Sequence, residues 1–88
     1  MDSYSVSFKK SAEKDLRKIP KEFIPHIFQH IENLAAEPVP HDAYKLASAE
    51  NLYRIRVGDY RVIYQVLHES REVIVYYIRH RSVAYRGL

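Results

Sequence analysis

The chain contains no cysteine. That absence excludes disulfide staples and Cys-based zinc sites, and it fits a reducing compartment, so the cytoplasm is the expected location. No run approaches the roughly 18 apolar residues of a membrane helix, and Met1-Asp2-Ser3 opens with neither a basic nor an apolar leader segment, so no membrane partner is expected. Internal repeats and low-complexity tracts are also missing. With 88 residues there is material for one small core, and residues 1–88 are expected to form a single domain. Five histidines are scattered along the chain, of which only His26 and His30 have helical i, i+4 spacing. Without an acidic residue of the zinc-protease type between them they read as a polar helix face, and no metal or organic cofactor is implied.

What the chain does have is positive charge in one place. The net charge is +3 and the pI near 9.2. The acidic residues lie mostly in the first half, whereas Arg54, Arg56, Arg61, Arg71, Arg79, Arg81 and Arg86 follow one another toward the C-terminus. This asymmetry points to a polyanionic partner, a nucleic acid or an acidic protein segment.

The densest part is a pair of strand-like runs, Tyr53-Arg54-Ile55-Arg56-Val57 and Tyr60-Arg61-Val62-Ile63-Tyr64, joined by Gly58-Asp59. A two-residue loop beginning with Gly suits a tight hairpin, because Gly accepts the positive φ that such turns need. The loop pairs Val57 with Tyr60 and therefore sets Arg56 opposite Arg61, with Arg54 on the same face. Like charges facing each other across strands are destabilising. One exposed arginine is commonly an edge guard, but three in one patch make sense if an anion such as a phosphodiester sits between them. The other face, Tyr53, Ile55, Val57, Tyr60, Val62, Tyr64 and Val66, reads as core.

Around this hairpin the periodicities outline a small α+β domain. Ser3 to Phe8 alternates at period two, a strand with Tyr4, Val6 and Phe8 inward. Ala12, Leu16 and Ile19 give a helix over about Lys9 to Lys18, ended by Pro20. A second apolar stripe, Ile24, Ile27, Phe28, Ile31, Leu34 and Ala35, predicts a helix to about Ala36, with Pro25 in its first turn. Glu37 to Asp42 is a proline-broken connector, Tyr44-Lys45-Leu46 a short strand, and Ala47 to Asn51 a loop. Glu72 to Ile78 is a β-branched and aromatic strand. A strand, two helices and consecutive strands imply a helical hairpin on one face of a small, largely antiparallel sheet, leaving a concave cationic face open. The parity of the loop after Leu67 decides which residues join Arg61 on that face: Ile74, Tyr76, Ile78 and His80, or Val75, Tyr77 and Arg79.

The run Tyr53-Arg54-Ile55-Arg56-Val57-Gly58-Asp59-Tyr60-Arg61-Val62-Ile63-Tyr64, followed by His80-Arg81 and Tyr85, resembles the signature of the RelE/ParE superfamily of toxins from toxin-antitoxin pairs. The likeness extends over the opening strand, the Leu16 to Pro20 helix end and the Glu37-Pro38 connector. It implies a RelE-like fold and an antitoxin whose acidic or amphipathic segment wraps the toxin. In the RelE branch it implies an endoribonuclease that cleaves mRNA in the ribosomal A site, the 2′-OH attacking the adjacent phosphorus to leave a 2′,3′-cyclic phosphate. The family's functional positions fall on Arg54, Arg56, Arg61, Arg81 and Tyr85.

Chemistry adds one restriction to that set. Fixed guanidinium forks can position a phosphate and neutralise charge on its oxygens, but arginine stays protonated and cannot act as the base. The RelE branch often has lysines where this chain has Arg54 and Arg56. The proton must pass to Tyr85, among arginines that favour phenolate, or to His80, whose ordinary pKa is roughly 6.5. Tyr85 is the residue that matches the family position. Two other functions use the same face: a non-enzymatic ParE-like poison of DNA gyrase, and an RNA-binding module without catalysis. The basic run Lys9, Lys10, Lys14, Arg17, Lys18 and Lys21 is a solvated helix face or a grip on rRNA phosphates.

Overall fold

The computed structural model describes residues 3–46 and 50–83. Strand β1 (Ser5–Phe8) leads into helix α1 (Lys10–Lys18); a 3₁₀ turn (Lys21–Phe23) runs into α2 (Ile24–Asn33); then come β2 (Tyr44–Lys45), β3 (Leu52–Val57), β4 (Tyr60–Leu67) and β5 (Glu72–His80). The sheet order is β1-β5-β4-β3-β2, with β1 parallel to β5 and every other pair antiparallel. This is the expected α+β arrangement.

Local sequence explains the helix limits. Ile19 precedes Pro20 and is driven into extended backbone, which stops α1. Arg17 and Lys18 occupy its last turn, where cations oppose the negative end of the helix dipole. Pro25 sits in the first turn of α2, where its missing N–H costs nothing. The α-helix ends at Asn33 rather than Ala36, because Leu34, Ala35 and Ala36 donate to the carbonyls three residues back and tighten the final turn.

Ala12, Ile27, Ile31 and Leu34 from the helices close over Ile55, Val62, Tyr64, Val66, Val73, Val75 and Ile78 of the sheet, all buried. Each fully buried aliphatic side chain contributes about 1.5–3 kcal/mol relative to exposure. Tyr64 is the one large polar member; its hydroxyl donates to the Pro38 carbonyl at 2.8 Å, fastening the proline connector to the sheet. Burial, reinforced by Tyr53 and Asp42, pushes the Tyr64 phenol well above its ordinary range.

Helix α1 also finishes the sheet edge. Strand β1 has four residues and β5 has nine, so the outer edge of β5 beyond Val75 is left without a neighbouring strand. Lys9 N–H donates to Val75 O, Ser11 Oγ to Tyr76 O, and Ile78 N–H to Asp15 Oδ2 at 3.0 Å. The helix thereby serves in place of a strand along an edge that would otherwise invite pairing with another chain.

Candidate anion-binding face

Gly58 has φ +60°, and the hairpin closes with Val57 opposite Tyr60 and Arg56 opposite Arg61. On β5 neither register expected from the sequence holds throughout. The register shifts between Ile63 and Tyr64, so that Tyr77 pairs with Ile63 while Val75 pairs with Tyr64, leaving Tyr76 as the extra residue. Such a bulge moves every residue beyond it to the other face. Toward the hairpin end Tyr77 and Arg79 share the Arg61 face; on the other side of the bulge Ile74 pairs with Gln65, whose side-chain oxygen accepts from the Tyr76 hydroxyl at 3.1 Å.

Two rows result. Arg56, Arg61 and Arg79 are in register across β3, β4 and β5, and beside them run Tyr44, Arg54, Ile63 and Tyr77 across β2 to β5. The face is not purely polar, since Ile63 is fully buried between Arg54 and Tyr77. Long arginine stems can cover apolar surface in this way while keeping their heads in water.

Each guanidinium is held differently. Arg61 Nη1 folds back over the turn to the carbonyls of Gly58 and Tyr60, at 3.2 and 3.1 Å. Arg54 lies over the Tyr44 ring, 4.7 Å from its centre, and Arg79 over the Tyr77 ring at 3.9 Å. Asp15, on the buried side of α1, reaches Arg79 Nε at 3.4 Å with the same oxygen that accepts from Ile78 N–H. Arg56 is exposed. Preset guanidinium groups of this kind favour phosphoryl oxygens because little remains to be ordered when the anion arrives.

The remaining predicted residues are distributed unevenly. Arg81 stands just past β5 beside the hairpin loop, its N–H donating to Asp59 O at 2.8 Å and its Nε 3.9 Å from the Asp59 carboxylate. Both side chains are about two-thirds exposed, so the pair is weak and an anion can compete for Arg81. His80 pairs with Tyr60, on the sheet face opposite Arg61, and meets that ring edge-on at 5.7 Å. Its Nδ1 lies 3.0 Å from Ser82 Oγ and 3.3 Å from Ser82 N–H, at a cavity of about 400 Å³ lined also by Lys18, Ile19 and Tyr60. Tyr85 lies outside the described residues, as do Ala47 to Ala49 of the predicted loop. Arg79 is the member of the face that the motif did not single out; only the alternative register of β5 pointed to it. His26 and His30 stack edge to face at 4.7 Å, and His30 Nδ1 is 3.0 Å from the His26 carbonyl. Among the described residues no group of three or more His, Cys, Asp or Glu side chains is placed to hold a metal ion.

A five-stranded sheet with helices on one side and in-register arginines on the other defines a small α+β protein with a cationic sheet face. Residues 6–85 match the family model for the ParE toxin of the type II toxin-antitoxin system parDE, and the chain belongs to this family, within the RelE/ParE superfamily. Over 87 residues it is 31% identical to RelE1 of Methanocaldococcus jannaschii, covering 96% of this chain and 97% of that protein. The RelE of the RelE–RelB complex from Pyrococcus horikoshii superposes with a TM-score of 0.79 at 33% identity, covering 90% of this chain and 96% of that one. The toxin-antitoxin complex RelBE2 from Mycobacterium tuberculosis gives 0.79 at 27% identity, covering 93% and 95%. The protein is therefore a RelE-like toxin of the type II class. No helix among the described residues is long and apolar enough to cross a membrane.

Proposed function

We propose that this toxin is a cytoplasmic endoribonuclease that cleaves mRNA in the ribosomal A site. The observation that carries the reading is the alignment of Arg56, Arg61 and Arg79 across three adjacent strands. In the reaction the substrate's 2′-oxygen bonds to the adjacent phosphorus and the bond from phosphorus to the 5′-oxygen breaks. The products are a 2′,3′-cyclic phosphate and a 5′-hydroxyl. Negative charge grows on the non-bridging oxygens, and Arg61 with Arg56 and Arg79 is placed to neutralise it, while Arg54 and Arg81 hold the flanking backbone. The 2′-OH proton goes to Tyr85 in its phenolate form, four residues after Arg81 in the chain, and a proton from solvent water completes the departing 5′-hydroxyl. His80, second in line, faces the helix side of the sheet and already engages Ser82 through Nδ1.

The partner we assign is a cognate antitoxin, as in the solved RelE–RelB complexes. An apolar groove of about 430 Å³ between β1 and α2, lined by Val6, Phe8, Phe28 and Ile31, suits one face of an amphipathic helix. Purified toxin added to a translating extract should cut mRNA within codons, and Arg61→Ala should abolish the cuts while remaining folded. Messages left whole by the folded native toxin would end this reading. The match to the ParE model supports a second reading, a DNA gyrase poison using the same fold. Inhibited supercoiling together with intact mRNA would favour it.

A further inference from the structure

Tyr44 is 62% exposed on the edge strand β2, a large cost in apolar surface for a residue that fills no core. Its ring is not idle, because the Arg54 guanidinium lies over it at 4.7 Å. Three strands away in the same cross-strand row, the Arg79 guanidinium lies over the Tyr77 ring at 3.9 Å. At a strand spacing of about 4.8 Å these two cation-capped rings stand roughly 14 Å apart, and the row of Arg56 and Arg61 runs about 7 Å to one side. The face thus alternates flat π surfaces with phosphate-binding cations. That combination is how proteins hold single-stranded nucleic acid: bases stack on aromatic rings or on guanidinium planes while the backbone follows the charge. A four-stranded sheet with two or three aromatic platforms reads two or three unpaired bases in this way in RNA-recognition domains.

We propose that Tyr44 and Tyr77 are two nucleobase platforms that seat a short single-stranded RNA segment across β2 to β5, with its phosphates on Arg56 and Arg61. The inference rests on the mRNA-cleaving reading and adds how the bases are held. An acidic protein segment would match the charge of Arg54, Arg56, Arg61 and Arg79 but would offer no flat ring to stack on Tyr44 and Tyr77.

The test is an NMR titration of the full chain with a 2′-O-methyl RNA trinucleotide, which cannot be cleaved, and with its abasic counterpart of equal charge. The base-bearing probe should move the Tyr44 and Tyr77 ring resonances upfield, and Tyr44→Ala should weaken it about tenfold, with recovery in Tyr44→Trp. The abasic probe should shift the Arg56 and Arg61 side-chain resonances and be indifferent to Tyr44→Ala. Equal effects of Tyr44→Ala on both probes, or none on either, would overturn the platforms while leaving the phosphate clamp standing. If neither probe shifts the arginines, the mRNA-cleaving reading falls as well. Loss of antitoxin binding in Tyr44→Ala with an unchanged RNA titration would also overturn the inference, assigning Tyr44 to a protein contact.

Discussion

Asp15 should be the most revealing position to perturb, because one carboxylate oxygen serves both the fold and the candidate site. It accepts from the buried Ile78 N–H at 3.0 Å and faces Arg79 Nε at 3.4 Å. In Asp15→Ala the N–H loses its only carboxylate acceptor on an edge that no strand covers, which costs about 1–3 kcal/mol. Loss of the partly exposed ion pair adds about 0.5–1 kcal/mol. The sum, about 1.5–4 kcal/mol, is a large share of the roughly 5–15 kcal/mol typical of a domain. Asp15→Asn keeps an oxygen for Ile78 and removes only the charge, so it should cost about 0.5–1 kcal/mol. Thermal unfolding resolves the difference, since 1 kcal/mol corresponds to roughly 4–8 °C in a domain of this size. Cleavage of mRNA should separate the variants in another way: Asp15→Asn, nearly native in stability, should still lose activity severalfold because Arg79 no longer has its carboxylate anchor. Equal destabilisation by Asn and Ala would refute the hydrogen-bond argument, and full activity in Asp15→Asn would refute the anchoring of Arg79.

Removing one of two opposed arginines should trade function for stability. Arg56→Gln should gain up to about 1 kcal/mol in urea unfolding as its repulsion with Arg61 is relieved, while mRNA cleavage falls about 100-fold or more. Gly58→Ala meets nothing within 4 Å, so its cost is conformational, about 1–2 kcal/mol for a φ of +60°, and Gly58→Asn should lose less in the same unfolding experiment. For Tyr64 the sign follows from its raised folded pKa: the native state keeps a proton that the unfolded chain releases above about pH 10. Its contribution is fully present below that pH and declines by about 1.4 kcal/mol per pH unit above it. Tyr64→Phe should lose about 0.5–1.5 kcal/mol at neutral pH, with its hydrogen bond to Pro38, and show a shallower alkaline decline than the native protein.

How much of this was legible beforehand depended on the range of the interaction. The hairpin was written locally: a Gly-first loop fixes the pairing of Val57 with Tyr60, and alternation then places Arg54, Arg56 and Arg61 without further information. The helix ends followed from Pro20 and Pro25, again one or two residues away. The face of β5 could not be read in this way. Counting from the loop after Leu67 presumes an unbroken ladder, and a single extra residue at Tyr76 reverses the answer for everything beyond it. Nothing in the run Val73 to Ile78 marks the bulge, since apolar and aromatic residues sit on both sides of it. What the bulge accomplishes is visible only in three dimensions. It turns Ile78 into the core and Arg79 outward, where α1 supplies Asp15 and Tyr77 supplies a ring to hold the guanidinium. Without it the register of Tyr64 with Val75 would continue and set Ile78 rather than Arg79 opposite Arg61, and the cationic row would stop at two. The hairpin thus provides only part of the row, and its third member depends on a backbone irregularity in the neighbouring strand β5.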